Sequence, residues 1–153
     1  MLWVPLSAEL PLPTTIKVTK QLDKQLVPTG EVFFSVLAPG THIPPHRGSC
    51  NFQLTLHLPL IVPGACELTV AGEARAWSEG RCLMFDATFT HEAHNSSDRP
   101  RVCLIMDVWH PQITSHERPA LAALHAALSP FRRFKRWPWP ETAESSAAPE
   151  LRA

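Results

Sequence analysis

The alternation of apolar and polar residues predicts a chain built mainly from β-strands. In residues 51–58, NFQLTLHL, every second residue is apolar, as in a strand with one buried face. The apolar residues of this stretch are Phe52, Leu54, Leu56 and Leu58. The polar residues between them are Gln53, Thr55 and His57. One face of this strand is therefore expected in the core, and the other is turned away from it.

Short strands with turn signals between them recur along most of the chain. TIKVTKQL, residues 15–22, is a possible first strand, and EVFFSVLA, residues 31–38, ends at Pro39-Gly40. Later candidates are two strands of CELTVAGEARAW around a turn at Ala71-Gly72-Glu73, followed by RCLMF, THEAHN and RVCLIMDVW. Strands of this length at near-regular spacing predict an all-β sandwich or barrel.

One helix is predicted, in TSHERPALAALHAAL at residues 114–128. Thr114 or Ser115 can cap its N-terminus, and Glu117, three residues after Thr114, completes a capping-box pattern. The apolar side of this helix is formed by Leu121, Leu124 and Leu128. We expect that side to pack on the sheet.

The length of 153 residues is enough for one domain with its own core. We expect residues 1–30 to form an N-terminal segment that packs on the core, and residues 31–130 to form the domain with its C-terminal helix. Residues 131–153 begin with the basic and aromatic FRRFKRWPWP and continue into an Ala-, Ser-, Glu- and Pro-rich tail. That composition is typical of disorder.

The charge balance and the cysteines narrow the functional classes. Lys and Arg together number 14, as do Asp and Glu, so the broad basic face of a nucleic-acid-binding protein is not expected. No apolar run approaches the roughly 20 residues that cross a bilayer, and the N-terminus lacks a signal-peptide pattern. The four cysteines form no C-x-x-C pair and are predicted to be buried thiols of a cytoplasmic protein. The sequence leaves the oligomeric state open.

Two histidine pairs close together in sequence are candidate metal ligands. His42 and His46 are spaced H-x3-H, with Cys50 four residues further on, but the second cysteine pair usual in such zinc sites is missing. His91 and His94 lie in one predicted strand, where an odd separation points them to opposite faces. These two are not expected to share a metal.

His46 and His91 form a third, long-range pair. In a jelly roll such a pair can converge at the barrel mouth, where Fe(II) oxygenases use H-x-D/E and a distal histidine. Here the triplet is His46-Arg47-Gly48, and glycine has no ligating side chain. Spacing alone ranks this pair no higher than the others.

Three segments together resemble the aspartyl/asparaginyl β-hydroxylase family. They are FSVLAPGTHIPPHRGSCNFQLTLHLPLIVP, then WSEGRCLMFDATFTHEAHN, then RVCLIMDVWHPQIT with ER after it, within residues 31–118. The family belongs to the Fe(II)/2-oxoglutarate-dependent dioxygenases. The resemblance implies an all-β double-stranded β-helix, a jelly-roll or cupin-like fold, followed by a C-terminal helix. It also implies three cofactors or co-substrates, namely Fe(II), 2-oxoglutarate and dioxygen.

The resemblance implies roles for the two distant histidines. His46 matches the histidine of the family motif PH-x-G-x-x-N, and His91 matches that of F-x-HE, so both become iron ligands. Gly48 then follows the pattern of a subgroup that lacks the carboxylate ligand of other dioxygenases.

Four further residues are implied in binding 2-oxoglutarate. Arg101 matches the arginine that binds the distal C5 carboxylate, and Ser35 matches the serine that assists it. His57 matches a histidine near the C1 carboxylate. Thr55 stands where better-known members have an arginine, so we expect weaker binding of 2-oxoglutarate or compensation by another cation such as Arg47.

The implied function is hydroxylation of an amino-acid or peptidyl C–H bond, with release of succinate and CO2. The partner is then a small-molecule or peptide substrate, with neither nucleic acid nor membrane involved. The alternatives are a non-catalytic jelly-roll binding module, a divergent member with altered chemistry such as halogenation, and a cupin-like metal enzyme that does not use 2-oxoglutarate. Arg101 and Ser35 argue against the metal enzyme that does not use 2-oxoglutarate, because such an enzyme needs no residues that bind a dianion.

Overall fold

The computed structural model describes residues 3–9 and 24–128, and it confirms the double-stranded β-helix with a C-terminal helix. Nine strands and one helix are described: β1 Trp3–Glu9, β2 Val32–Leu37, β3 Thr41–His46, β4 Gln53–Ile61, β5 Cys66–Val70, β6 Glu73–Ala76, β7 Arg81–Phe85, β8 His91–Asn95, β9 Arg101–Trp109 and α1 Arg118–Leu128. The strands form two antiparallel sheets, in the orders β1-β7-β4-β9-β2 and β3-β8-β5-β6.

Alternation along β4 separates core from cavity as the sequence predicts. Leu54, Leu56 and Leu58 are buried in an apolar cluster with residues of β7 and β9. Thr55 and His57 face the other way, into the space between the two sheets.

A second apolar cluster packs between the sheets, beside the cavity. It joins residues from both layers: Leu37, Cys66, Leu68, Val70, Trp77, Phe85, Ala93 and Cys103. Cys66, Cys82 and Cys103 are buried free thiols, as predicted, whereas Cys50 is only half-buried. This cluster supports the cavity on one side.

The β5–β6 hairpin has a two-residue turn, Ala71-Gly72, because Val70 pairs directly with Glu73. Both turn residues have positive φ, 49° and 84°, as a tight turn matched to the strand twist requires. Glu73, predicted within the turn, is the first residue of β6.

The helix begins at its capping box, and the prediction of its buried side is right for Leu121 but wrong for Leu124 and Leu128. The Glu117 carboxylate accepts hydrogen bonds from the backbone N and the Oγ1 of Thr114, at 2.8 and 2.7 Å. Leu121 packs against the core, while Leu124 and Leu128 are exposed. His125 is buried instead, because its Nδ1 is hydrogen-bonded to Thr29 Oγ1 and its ring meets Phe52. The buried face is therefore rotated away from the leucine side.

Some expectations fall on parts of the chain that the structure does not describe. These are the possible strand at residues 15–22 and the tail at residues 131–153. Of the N-terminal segment, β1 pairs with β7, and Leu26 forms a bridge with Val108. The proposed domain limits remain predictions. In the described ranges, no helix has the length and apolarity to cross a membrane.

Candidate functional site

A cavity of about 840 Å³ opens between the two sheets. The five-stranded sheet contributes Ser35, Thr55, His57 and Arg101 to its wall, and the four-stranded sheet contributes His46 and His91. All six predicted site residues therefore line one cavity.

His46 and His91 face each other across the β3–β8 pair. They are register partners, and their ring centroids are 4.1 Å apart. In a regular strand His46 would share the outer face with His42, but the register shifts between Ile43 and His46. That irregularity, at Pro44 and Pro45, turns His46 inward.

In each ring Nδ1 is hydrogen-bonded, and Nε2 has no hydrogen-bond partner among the described residues. His46 Nδ1 is 2.9 Å from the Pro44 carbonyl oxygen, and His91 Nδ1 is 2.9 Å from the Phe89 carbonyl oxygen. A carbonyl only accepts, so each Nδ1 donates its proton and the neutral ring keeps its lone pair on Nε2. This backbone support is typical of histidines that bind metals. Desolvation lowers the pKa of His91; the hydrogen bond to the Phe89 carbonyl opposes this, and His46 adds a smaller lowering effect, so the net shift favours the neutral ring.

Arg101 is a buried cation, only 1% exposed. Its Nη1 donates to the carbonyl oxygen and the Oγ of Ser35, both at 3.3 Å, and its guanidinium lies 4.6 Å from the Trp77 ring centroid. Its Nε has no hydrogen-bond partner, and no carboxylate within residues 24–128 lies at salt-bridge distance. A buried guanidinium whose charge is not balanced by a carboxylate favours binding of an anionic ligand.

His57 is a fixed neutral donor. Burial first, then the charge of Arg101, and last an electrostatic effect of His91, lower the pKa of His57 to about 3. Trp77 Nε1 donates to His57 Nδ1 at 3.2 Å, so the single ring proton is on Nε2. His57 therefore offers one N–H to the cavity.

Thr55 lies next to acidic groups rather than cationic ones. Its Oγ1 donates to Asp107 Oδ1 at 3.4 Å, and the backbone N of Glu31 donates to Asp107 Oδ2 at 2.9 Å. Desolvation raises the pKa of Asp107, and desolvation together with Asp107 raises that of Glu31. Arg47, the suggested compensating cation, also lines the cavity, where its Nε donates to Thr90 Oγ1. The cavity thus has a cationic wall at Arg101 and an acidic wall at Asp107.

Gly48 has a packing reason to lack a side chain. Its N donates to the Ala87 carbonyl oxygen at 2.6 Å. A Cβ at this position would lie 3.0 Å from Ala87 Cβ and 3.2 Å from Ala87 O. The close backbone approach at this edge of the cavity therefore favours glycine, because a larger residue would push Ala87 away.

The alternative zinc site at His42, His46 and Cys50 is wrong. His42 lies on the outer face of the four-stranded sheet, where Glu92 and His94 complete a cluster able to hold a metal ion. His46 lies on the inner face. His91 and His94 point to opposite faces, as predicted from their odd separation.

The sequence did not single out Trp77, which contacts two cavity residues, or His125, which lines the cavity. Trp77 follows β6 and contacts both His57 and Arg101, yet nothing in its local sequence indicates those partners. His125 lines the cavity from α1. Its position four residues after Leu121 is the one signal that it belongs to the buried face.

Fold and site define a double-stranded β-helix protein with a histidine- and arginine-lined cavity between its sheets. The chain belongs to the aspartyl/asparaginyl β-hydroxylase family, whose sequence model matches residues 6–111. The match confirms the resemblance seen in the sequence motifs.

The similar proteins are much longer than this chain. It is 47% identical over 100 residues to mouse aspartate beta-hydroxylase domain-containing protein 2, covering 63% of this chain and 29% of that protein. It is 40% identical over 96 residues to human aspartyl/asparaginyl beta-hydroxylase, covering 62% of this chain and 13% of that protein. The chain thus spans under a third of these two relatives.

Solved cupin structures are also similar, but with lower sequence identity than these relatives. A Cupin_2 domain of an XRE family transcriptional regulator from Enterobacter cloacae has a TM-score of 0.46 at 21% identity, covering 54% of this chain and 83% of that one. A Cupin 2 conserved barrel domain protein from Salinispora arenicola has a TM-score of 0.45 at 18% identity, covering 82% of each chain. This likeness concerns the fold alone.

We expect His57 to make stability depend on pH in the metal-free protein. Its folded-state pKa of about 3 lies below the ordinary histidine pKa of 6.5, so the unfolded chain binds the proton first as pH falls. The free energy of unfolding is therefore highest above the unfolded-state pKa. As the pH falls from there towards the folded-state pKa, it decreases by about 1.4 kcal/mol per pH unit. In urea unfolding, His57→Gln should remove about that slope between roughly pH 6 and pH 4. Equal slopes in both proteins would contradict the buried neutral state.

We expect Gly48→Ala to destabilise the fold by about 1–3 kcal/mol, because the new methyl group meets the Ala87 backbone. Gly64→Ala is the matched control, since a Cβ there meets nothing within 4 Å. Denaturant unfolding of both variants measures the difference. If Gly48→Ala is as stable as Gly64→Ala, close packing does not explain the glycine.

Proposed function

We propose that this chain is an Fe(II)- and 2-oxoglutarate-dependent dioxygenase that hydroxylates an amino-acid or peptidyl C–H bond. The observation that carries the proposal is the convergence, in one cavity, of two histidines and a buried arginine. Among the described residues, the Nε2 atoms of these histidines have no partner and the arginine has no carboxylate at salt-bridge distance. Family membership and the hydroxylase names of the relatives support the same class of reaction.

The residues present fit the metal. His46 and His91 would hold Fe(II) through Nε2, and two imidazoles suit ferrous iron in oxygenases of this type. Gly48 supplies no carboxylate ligand. With two protein ligands rather than three, the iron would have more coordination positions for co-substrate, oxygen and water. When bound, the iron with 2-oxoglutarate and dioxygen supplies the oxidising chemistry, and succinate and CO2 are released.

The residues around the metal fit the dianion 2-oxoglutarate. Arg101 and Ser35 would bind its distal carboxylate, because the guanidinium is fixed by the Trp77 ring and still has an unused N–H. His57 would donate its Nε2 proton to the carboxylate near the metal. Since His57 does not titrate at physiological pH, this donor is constant.

The acidic wall indicates which group of the substrate faces it. Gln53 hydrogen-bonds Asp107, and its Oε1 is buried without a partner among the described residues. With Glu31 and Asp107, that oxygen forms a surface of acceptors. An ammonium or amide N–H of an amino acid or peptide is the complementary group, and binding it would hold one C–H bond in place and exclude water from the cavity.

Anaerobic addition of Fe(II) and 2-oxoglutarate should produce the weak visible charge-transfer band of the bidentate complex. His46→Ala and His91→Ala should lose the band because each removes an iron ligand. Arg101→Met should keep metal binding but weaken 2-oxoglutarate binding by about tenfold or more, since a charge-assisted contact contributes about 1.5–3 kcal/mol. His116→Ala, an exposed histidine outside the cavity, is the control.

The outcomes separate the alternatives. No band in the wild type at saturating ligand would sink the dioxygenase proposal. Fe(II) binding that 2-oxoglutarate does not change would favour the metal enzyme that does not use 2-oxoglutarate. A band without succinate release, across free amino acids and Asp- or Asn-containing peptides, would favour the binding module.

Thr55→Arg should tighten 2-oxoglutarate binding by about tenfold, because it adds a cation on the same strand face as His57. The Asp107 carboxylate, next to Thr55, can orient the new guanidinium. Thr55→Met, which adds length without charge, should bring no gain. Titration of the anaerobic Fe(II) complex followed by its visible band measures both affinities. An unchanged affinity in the arginine variant would show that Thr55 does not weaken the site.

A further inference from the structure

We propose that His42, Glu92 and His94 form a second metal site, for a divalent transition ion such as Zn²⁺, on the outer face of the β3–β8 strand pair. None of these three residues is an iron ligand proposed for the cavity. It is open to solvent, since the side chains of His42 and His94 are 45% and 39% exposed. A water molecule can therefore complete the coordination.

The distances between the ligand atoms fit a tetrahedral ion. Glu92 Oε2 lies 2.8 Å from His42 Nε2 and 3.4 Å from His94 Nε2, and all three atoms lie within 4.8 Å of one another. Ligands about 2.0–2.1 Å from zinc at tetrahedral angles are roughly 3.3 Å apart. Small side-chain rotations are enough to reach that geometry.

The strand register holds the three ligands together before any metal arrives. His42 and His94 are paired across β3 and β8, and Glu92 lies two residues before His94, on the same face. The imidazoles stack at 4.0 Å between centroids, with 11° between their planes. Two imidazoles and one carboxylate are a donor set suited to zinc, copper or nickel rather than to calcium or magnesium.

The ion would cross-link a strand that has few other attachments. Among the described strands, β3 is an edge of the four-stranded sheet, and β8 is its one partner. Pro44 and Pro45 have no N–H to donate, and the ladder is irregular between Ile43 and His46. A metal bridge on the outer face would therefore stabilise the same strand pair that brings His46 and His91 together.

The test uses the full chain, stripped of metal, with His46→Ala and His91→Ala to remove the cavity histidines. Competition with a zinc-binding dye should find one Zn²⁺ per chain, and zinc should raise the unfolding temperature, because a ligand bound only by the folded state stabilises it. Adding His42→Ala should weaken zinc binding by at least about tenfold. Mutating a residue that only supports a metal ligand already costs that much affinity, and His42 is a proposed ligand itself. Adding His116→Ala should change neither measurement.

Two results would overturn the proposal: no zinc binding in the double variant, or equal zinc affinity after His42→Ala and His116→Ala. Glu92→Gln, which keeps the side-chain size, provides a second test should His42→Ala fail to fold, and it must also weaken zinc binding. Because the cavity histidines are absent from every one of these proteins, the outcome is independent of the proposed dioxygenase activity.

Discussion

The charge of Arg101, buried between two sheets, is the constraint on which the cavity depends. Burying an ion costs several kcal/mol unless other groups compensate. Here the Trp77 ring and Ser35 give partial compensation, and no carboxylate of residues 24–128 completes it. The same charge, added to burial, keeps His57 neutral. One buried cation thus explains both the preference for an anion and the fixed proton donor beside it.

Strands and the helix start were predictable because their causes are local. Alternation along β4 separates Leu56 from His57 in the sequence as it does in the structure. The capping box was equally visible, since Thr114 and Glu117 are three residues apart and bond each other. The six predicted site residues depended on the family motifs, because no local rule links His46 to Arg101 across the two sheets.

What the sequence did not show depends on contacts between distant elements. The buried face of α1 follows from the bond between His125 and Thr29, which overrides the leucine pattern. Trp77 acquires its role only when the end of β6 meets β4 and β9. The inward turn of His46 requires an irregular strand, and two prolines mark a candidate place without showing which way the next side chain points.

The β3–β8 pair shows why spacing between histidines misleads. On β8 an odd separation places His91 inward and His94 outward, as a regular strand requires. On β3 an even separation should place His42 and His46 together, but the register shift separates them. If β3 were regular, His46 would point outward, and the inner pair would be lost while the outer pair of His42 and His94 kept its register. The irregularity that weakens this edge strand is therefore the feature that creates the inner histidine pair.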